Sequence, residues 1–250
     1  MLLTNQMIDM KYLKEIGFTT ILLGMASCAP DDTNIFGCRQ PAGLLIEDAF
    51  FMGDFDGIKV SHDETVVITQ GPLFSVVVEA PESIMQVVDL DNDNGTLVLR
   101  YDECVTRTDD VRLLVTLPEL KCIDARGDIH VVSTNVIVGN KINIDTRGDI
   151  TMDLALDMDE IDIDARGDSN IFLEGLCDEL DIKVTGDAHV EAFDLTALFA
   201  DVVVRDGAAL FLTVLEFLDV KITGDGEVFF KGDPMISADI TGDGHLVDAN

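Results

Sequence analysis

Along the second half of the chain, apolar and polar residues alternate in short runs, and each run stops at a glycine beside an aspartate. Four residues before the stop stand Ile123, Ile144, Ile163, Ile182, Val202, Val220 and Ala238. Two residues further back stand Lys121, Ile142, Ile161, Leu180, Ala200, Leu218 and Ile236. Two residues before the stop stand Ala125, Thr146, Ala165, Val184, Val204, Ile222 and Ile240. Alternate positions share one face of a strand. Between these columns lie Asp124, Asp145, Asp164, Lys183, Val203, Lys221 and Asp239, mostly polar and so directed at water. The stops are Gly127, Gly148, Gly167, Gly186, Gly224 and Gly242, with a seventh copy inverted as Asp206-Gly207. They follow one another at 21, 19, 19, 20, 18 and 18 residues. A strand period of two inside a repeat near 20 is the pattern of a solenoid.

If each repeat is one coil, the aliphatic columns become ladders inside a tube, with rungs about 4.8 Å apart. This predicts an all-β, right-handed parallel β-helix with coils of about 18–21 residues, since links between neighbouring parallel strands are right-handed. A second strand per coil is visible after the stop, in Ile129–Val132 and Glu227–Phe230. The same stacking predicts a carboxylate ladder at the turn: Asp128, Asp149, Asp168, Asp187, Asp225 and Asp243. Two like charges one rung apart cost about 1 kcal/mol in water, whereas burying one Ile or Val contributes roughly 1.5–3 kcal/mol. The inward columns therefore win, and an exposed acidic ladder is tolerated.

The N-terminal part reads differently. Ile16–Ala26 is an apolar run too short to span a bilayer, preceded by Lys11 and Lys14, with Met7 or Met10 as alternative starts. It ends Gly24-Met25-Ala26-Ser27-Cys28, which resembles a lipobox, with Met25 where Leu is usual. Residues 1–27 are thus expected to be a lipoprotein signal peptide, and the resemblance implies that Cys28 becomes an acylated N-terminus. Acyl chains at Cys28 would be the only tie to a membrane. Residues 28–43 are a tether with Pro30, Asp31 and Asp32; acidic residues after such a cysteine resemble the surface-export signal of Bacteroidota lipoproteins. Residues 44–250 read as a single β-helix domain, with 44–118 as irregular first coils and 119–250 as seven regular ones. Within 44–118, Asn94-Gly95 between two apolar runs is a tight-turn signal.

Composition sets the partners. Asp plus Glu number 48 against 16 Lys plus Arg, a net charge of −32. That excludes nucleic acid and anionic lipid as partners of the domain body. With no Trp and two Tyr, sugar-stacking platforms are scarce; the 13 Phe could serve, but several lie in the repeat pattern and read as packing.

The order of short motifs carries a resemblance. Phe55-Asp56-Gly57-Ile58-Lys59-Val60-Ser61 is followed by Val66–Gly71, Val76–Ala80, Asn94–Leu99, Val115–Leu120 and then the Gly-Asp coils. Over about residues 50–247 this is similar to the auto-transporter adhesin "head GIN domain" family. The resemblance implies a β-helix-like fold in secreted or lipid-anchored bacterial proteins and brings no catalytic residues. Members often carry Ser-Gly-Ser-Gly-Asp at the turn, where this chain has Ala-Arg-Gly-Asp or Thr-Gly-Asp.

Arg-Gly-Asp occurs at 126–128, 147–149 and 166–168, always on the same repeat column, so turn chemistry explains it without an integrin. Calcium is the candidate cation, with Asp128, Asp149, Asp168 and Asp187 as its ligands. Oxygens from adjacent rungs must converge to hold it. Asp89–Gly95 echoes an EF-hand start, but Gly95 falls one position late and Arg100 stands where the bidentate Glu belongs. His130, His189 and His245 share a column three coils apart and cannot meet on one zinc ion. Cys122 and Cys177 are too far apart to pair; Cys38 with Cys104 stays open. No cofactor is expected. The expected function is a non-enzymatic, exported, lipid-anchored binding domain on the outer membrane or cell surface, with an extracellular macromolecule or glycan as partner. The alternatives are a polysaccharide-degrading β-helix enzyme and an envelope structural protein that self-associates through an exposed end strand.

Overall fold

The computed structural model describes residues 37–250. The signal segment, Cys28 and residues 28–36 of the tether lie outside the described residues. Strands β1 (Leu45–Phe50), β2 (Gly57–Val60), β3 (Thr65–Gln70) and β4 (Ser75–Pro81) come first, then a one-turn helix α1 (Glu82–Met85). Next are β5 (Val88–Asp93), β6 (Thr96–Tyr101), β7 (Arg112–Leu117), β8 (Cys122–Gly127) and β9 (His130–Ser133). Longer strands follow: β10 (Ile137–Gly148), β11 (Thr151–Arg166), β12 (Asn170–Thr185), β13 (His189–Arg205) and β14 (Ala209–Thr223). The last are β15 (Glu227–Lys231), β16 (Met235–Thr241) and β17 (His245–Asp248).

The strands form a β-solenoid of about seven turns. The expected columns stack in parallel register: Ile144 lies opposite Ile123 and Ile163, Ile163 opposite Ile182, then Val202, Val220 and Ala238. From Ile123 to Val220 this ladder is at most 1% exposed. The column of Ile142, Ile161, Leu180, Ala200 and Leu218 is buried beside it. Lys121, placed in that column by spacing, is exposed instead; its ammonium pairs with Asp56 (2.9 Å) and Glu119 (3.1 Å), while Leu120 turns inward at 1% exposure. An unpaired ammonium in the tube would cost far more than one misplaced aliphatic gains. At the inverted stop, Asp206 takes the glycine's place, with φ 77°. The final rung, β16, leaves Ile236 46% and Ile240 39% exposed, and among the described residues no further coil covers it.

Residues 44–118 are not successive coils in chain order. Ile58 of β2 lies between Leu97 of β6 and Ile123 of β8, and Val66 of β3 lies between Leu113 of β7 and Val131 of β9. The coil formed by β6 and β7 therefore stacks outside one that precedes it in sequence. Antiparallel strands close the end: β5 pairs with β6, β4 with β7, and β1 with β4. Helix α1 adds Ile84 and Met85 to the core. An end rung exposes unpaired backbone donors and acceptors, and returning strands satisfy them. The Asn94-Gly95 turn forms as read, with φ 52° and 87°. Asn92 donates to the carbonyls of Met52 (2.8 Å) and Asp54 (3.0 Å), and Asp91 pairs with Arg100 (3.2 Å), so this segment is a hairpin rather than a cation loop. Cys38 and Cys104 form a disulfide.

One buried acid sits where the cap meets the coils. Glu64 accepts hydrogen bonds from the Tyr101 hydroxyl (3.0 Å) and the His62 backbone N–H (3.1 Å). Burial pushes its carboxyl above the usual range, and the two donors pull against that. Burial and the neighbouring Glu64 push the Tyr101 phenol up, so it remains a donor. A raised folded pKa means that the native state holds the proton more tightly than the unfolded chain. The stability contribution of Glu64 is thus greatest below about pH 4.5 and falls as pH rises through the folded value. Tyr101→Phe leaves a buried carboxyl short of one donor and is expected to cost about 1–3 kcal/mol. The loss should be smallest at pH 4, where Glu64 is protonated, and should grow as pH rises through its folded value; urea unfolding across a pH series checks it.

Candidate binding surface

The outer wall upstream of the turn is acidic and evenly ruled. Asp162, Asp181, Asp201 and Asp219 stand opposite one another on consecutive rungs. Beside them run Asp124, Asp145 and Asp164, then Arg126, Arg147 and Arg166. Each arginine bonds the aspartate two residues before it: Arg126 to Asp124 (2.8 and 3.0 Å), Arg147 to Asp145 (3.5 Å) and Arg166 to Asp164. The Arg-Gly-Asp triplets thus lie along the wall, their arginines engaged, and form no protruding loop. Burial raises the Asp181 carboxyl, with help from Asp201 and Asp162. Asp181, Asp201 and Asp219 share a shallow groove of about 220 Å³ with Phe199 and Phe217. The turn aspartates Asp128, Asp149, Asp168 and Asp187 are all exposed. Among the described residues, no group of three or more His, Cys, Asp or Glu side chains is arranged to hold a metal ion.

The wall downstream of the turn is different. Phe172, Glu191, Phe211 and Phe229 occupy one outward column. They sit among inward residues: Ile171 and Leu173, Leu210 and Leu212, Val228 and Phe230 are buried on either side. Strand β13 breaks register with both neighbours around Phe193, and the Phe193 carbonyl in that bulge accepts from Thr213 Oγ1 (2.8 Å). The bulge brings the Phe193 ring edge-on to Phe211 at 5.4 Å, and Phe211 stacks on Phe229 at 4.8 Å. His189 lies 5.1 Å from Phe211 and 6.4 Å from Phe172. Lys231 Nζ sits 3.8 Å over the Phe193 ring, a cation–π contact. Phe172 is 41% exposed, and the other rings are half-buried. The expectation that the phenylalanines serve core packing fails for this group. Bulges that re-aim side chains mark functional places in sheets, and this one lies where an otherwise even repeat is interrupted.

A family model described as "Putative auto-transporter adhesin, head GIN domain" matches residues 54–234. The chain belongs to that family. The head GIN fold is also seen in solved structures. A crystal structure titled putative adhesin from Bacteroides fragilis aligns with a TM-score of 0.75 at 20% identity, over 83% of this chain and 98% of that one. A structure titled putative lipid binding protein from Parabacteroides distasonis aligns with a TM-score of 0.66 at 18% identity, over 84% and 99%. A putative adhesin from Parabacteroides merdae gives 0.62 at 15% identity, over 84% and 98%. At these identities the likeness speaks to the fold. Comparison with curated proteins gives no match.

Within this head GIN domain, the histidines behave as the spacing required. His130, His189 and His245 occupy one column with two rungs between successive members, so no two share a ligand. Cys122 and Cys177 are free thiols. Burial, then Asp178, pushes the Cys177 thiol up to about 12, which leaves it unreactive at neutral pH.

Proposed function

We propose that this head GIN domain is an exported, lipid-anchored binding domain of the bacterial cell surface, non-enzymatic, with an extracellular macromolecule or glycan as its partner. The aromatic cluster at the β13 bulge carries the reading. A scaffold needs its aliphatic ladders inside; it has no need of Phe172, Phe193, Phe211 and Phe229 grouped on the outside. Exposed apolar groups rimmed by polar ones mark interaction sites. The polar neighbours here are Glu191, which stands between Phe172 and Phe211 in the column, and Lys231, which lies over Phe193. Export is supported by the Cys38–Cys104 disulfide, which belongs to an oxidising compartment. The family description and two of the structural relatives point to adhesion.

The test is a glycan and matrix-protein array probed with and without calcium. Binding by the wild-type chain is expected, with a loss of about tenfold or more in Phe211→Ala plus Phe229→Ala, since each ring contributes roughly 1.5–3 kcal/mol when covered. A second reading, a polysaccharide-degrading enzyme, is favoured by one observation, the raised Asp181 carboxyl in its groove. A silent array together with depolymerised polysaccharide would replace the first reading with the second.

A further inference from the structure

Two loop tips at the capped end of the solenoid carry apolar side chains into solvent. Phe51 is 99% exposed, Leu73 75% and Phe74 39%. They are neighbours in space. The antiparallel register of β1 and β4 ends at Phe50 opposite Val76, and Phe51, Met52 and Phe74 line one small cavity of about 70 Å³. The core beneath is already closed by Phe55 and Val76, at 4% and 2% exposure. Phe55 also holds the Phe74 ring from below at 5.3 Å. Phe51 and Leu73 therefore add little to the fold, and each costs the free energy of apolar surface left in water.

The chain enters the fold at this same end. Cys38 is bonded to Cys104, which follows β6 of the outermost parallel coil. Cys28 precedes Cys38 by ten residues, a reach of about 35 Å when fully extended. An acyl chain on Cys28 would hold the capped end, and its two apolar tips, close to the bilayer. Asp48, Asp54 and Asp56 flank the tips, so an anionic lipid surface would repel them. We propose that the tips formed by residues 51–52 and 73–74 are a membrane-contact surface for neutral, zwitterionic lipid. Two or more acyl chains at Cys28 would anchor the domain stably by themselves, and tip contact would then set which end of the solenoid meets the bilayer. This stands the solenoid on its capped end and leaves the β13 bulge free for a partner. It rests on the lipid-anchor reading for its direction.

The chain has no tryptophan, so an introduced one reports alone. Residues 29–250 contain every strand among the described residues, the cap, the disulfide and a closed core, and form the unit to be tested without acylation. Leu73→Trp and Phe51→Trp are mixed with phosphatidylcholine vesicles. Their emission should move to shorter wavelength and be quenched by brominated lipid. Val138→Trp, at an exposed position on the side of the tube, should not respond. Phe51→Ser with Leu73→Ser should lower vesicle partitioning by about tenfold or more. No shift with vesicles overturns the proposal. So does a shift already present without them: one independent of protein concentration means that residues 29–36 cover the tips, and one that grows with concentration means that a second copy does. Mass analysis of the mature N-terminus tests acylation separately. An unacylated Cys28 with a clear tryptophan shift would remove the anchor and leave the contact surface; an acylated Cys28 with no shift would do the reverse.

Discussion

Gly167→Ala should destabilise the solenoid by about 2–6 kcal/mol, the sum of two separate costs. The backbone at Gly167 has φ 112°, a region that residues with a Cβ rarely enter, and holding a non-glycine residue there costs roughly 1–3 kcal/mol. The added Cβ would also sit 2.7 Å from the carbonyl oxygen of Gly148 on the neighbouring coil, and overpacking of this kind costs roughly 1–3 kcal/mol. The neighbour cannot yield, because Gly148 is itself fixed against Gly127 in the same stack. Relief on one side tightens the other. Urea unfolding read by circular dichroism checks the magnitude, and Asp168→Ala is the control. That carboxylate is exposed at the same turn, so its loss should change stability by about 0.5 kcal/mol or less. A Gly167→Ala chain as stable as wild type would mean that the turn glycines are not in contact from coil to coil.

Loss of the Cys38–Cys104 bond should cost about 4 kcal/mol. The bond spans a sequence separation of 66 residues, and closing a loop of that length removes roughly that much entropy from the unfolded chain. The damage should be local. In a stack where each coil touches only its neighbours, stability is close to a sum of neighbour terms. The loop includes β2 and β3, which are clamped between β6–β7 on one side and β8–β9 on the other. Cys38→Ser should therefore loosen β1, α1 and the β5–β6 hairpin first and leave β11 to β14 folded. Hydrogen exchange resolves the two regions. Uniform loss of protection from β4 to β15 would contradict local opening, and no change anywhere would mean that the antiparallel pairing alone holds the cap.

The regular coils were legible because their determinants are local. A period of two decides which side chains face inward, and a period near 20 decides which lie above one another. Both can be counted along the chain, and Ile144, Ile163 and Ile182 stand where counting puts them. The aromatic cluster was legible in part. Phe172 and Phe211 each sit between two inward aliphatics, so parity alone turns them outward. The extra length of the coil that holds β13 shows in the spacings of 19, 20 and 18 residues, but which residue bulges does not, because no property of residue 193 records it. Lys121 shows the limit of a column argument: spacing assigned it inward, and the cost of an unpaired buried charge moved Leu120 there instead.

The alternation and the repeat, read along the chain, determined a tube with aliphatic ladders inside, aspartates outside and glycine at its corners. They did so because a strand's facing and a coil's register depend on residues close in sequence. The order of the first coils was decided only by the tertiary structure. Sequence says that β2 and β3 precede β6 and β7, yet they stack inside them, because the end of a parallel stack must be closed and the closing strands come from whichever segment can return in antiparallel register. The disulfide partner, the buried Glu64–Tyr101 pair and the exposed tips at Phe51 and Leu73 all follow from that return path, which joins residues far apart along the chain and leaves no period to count.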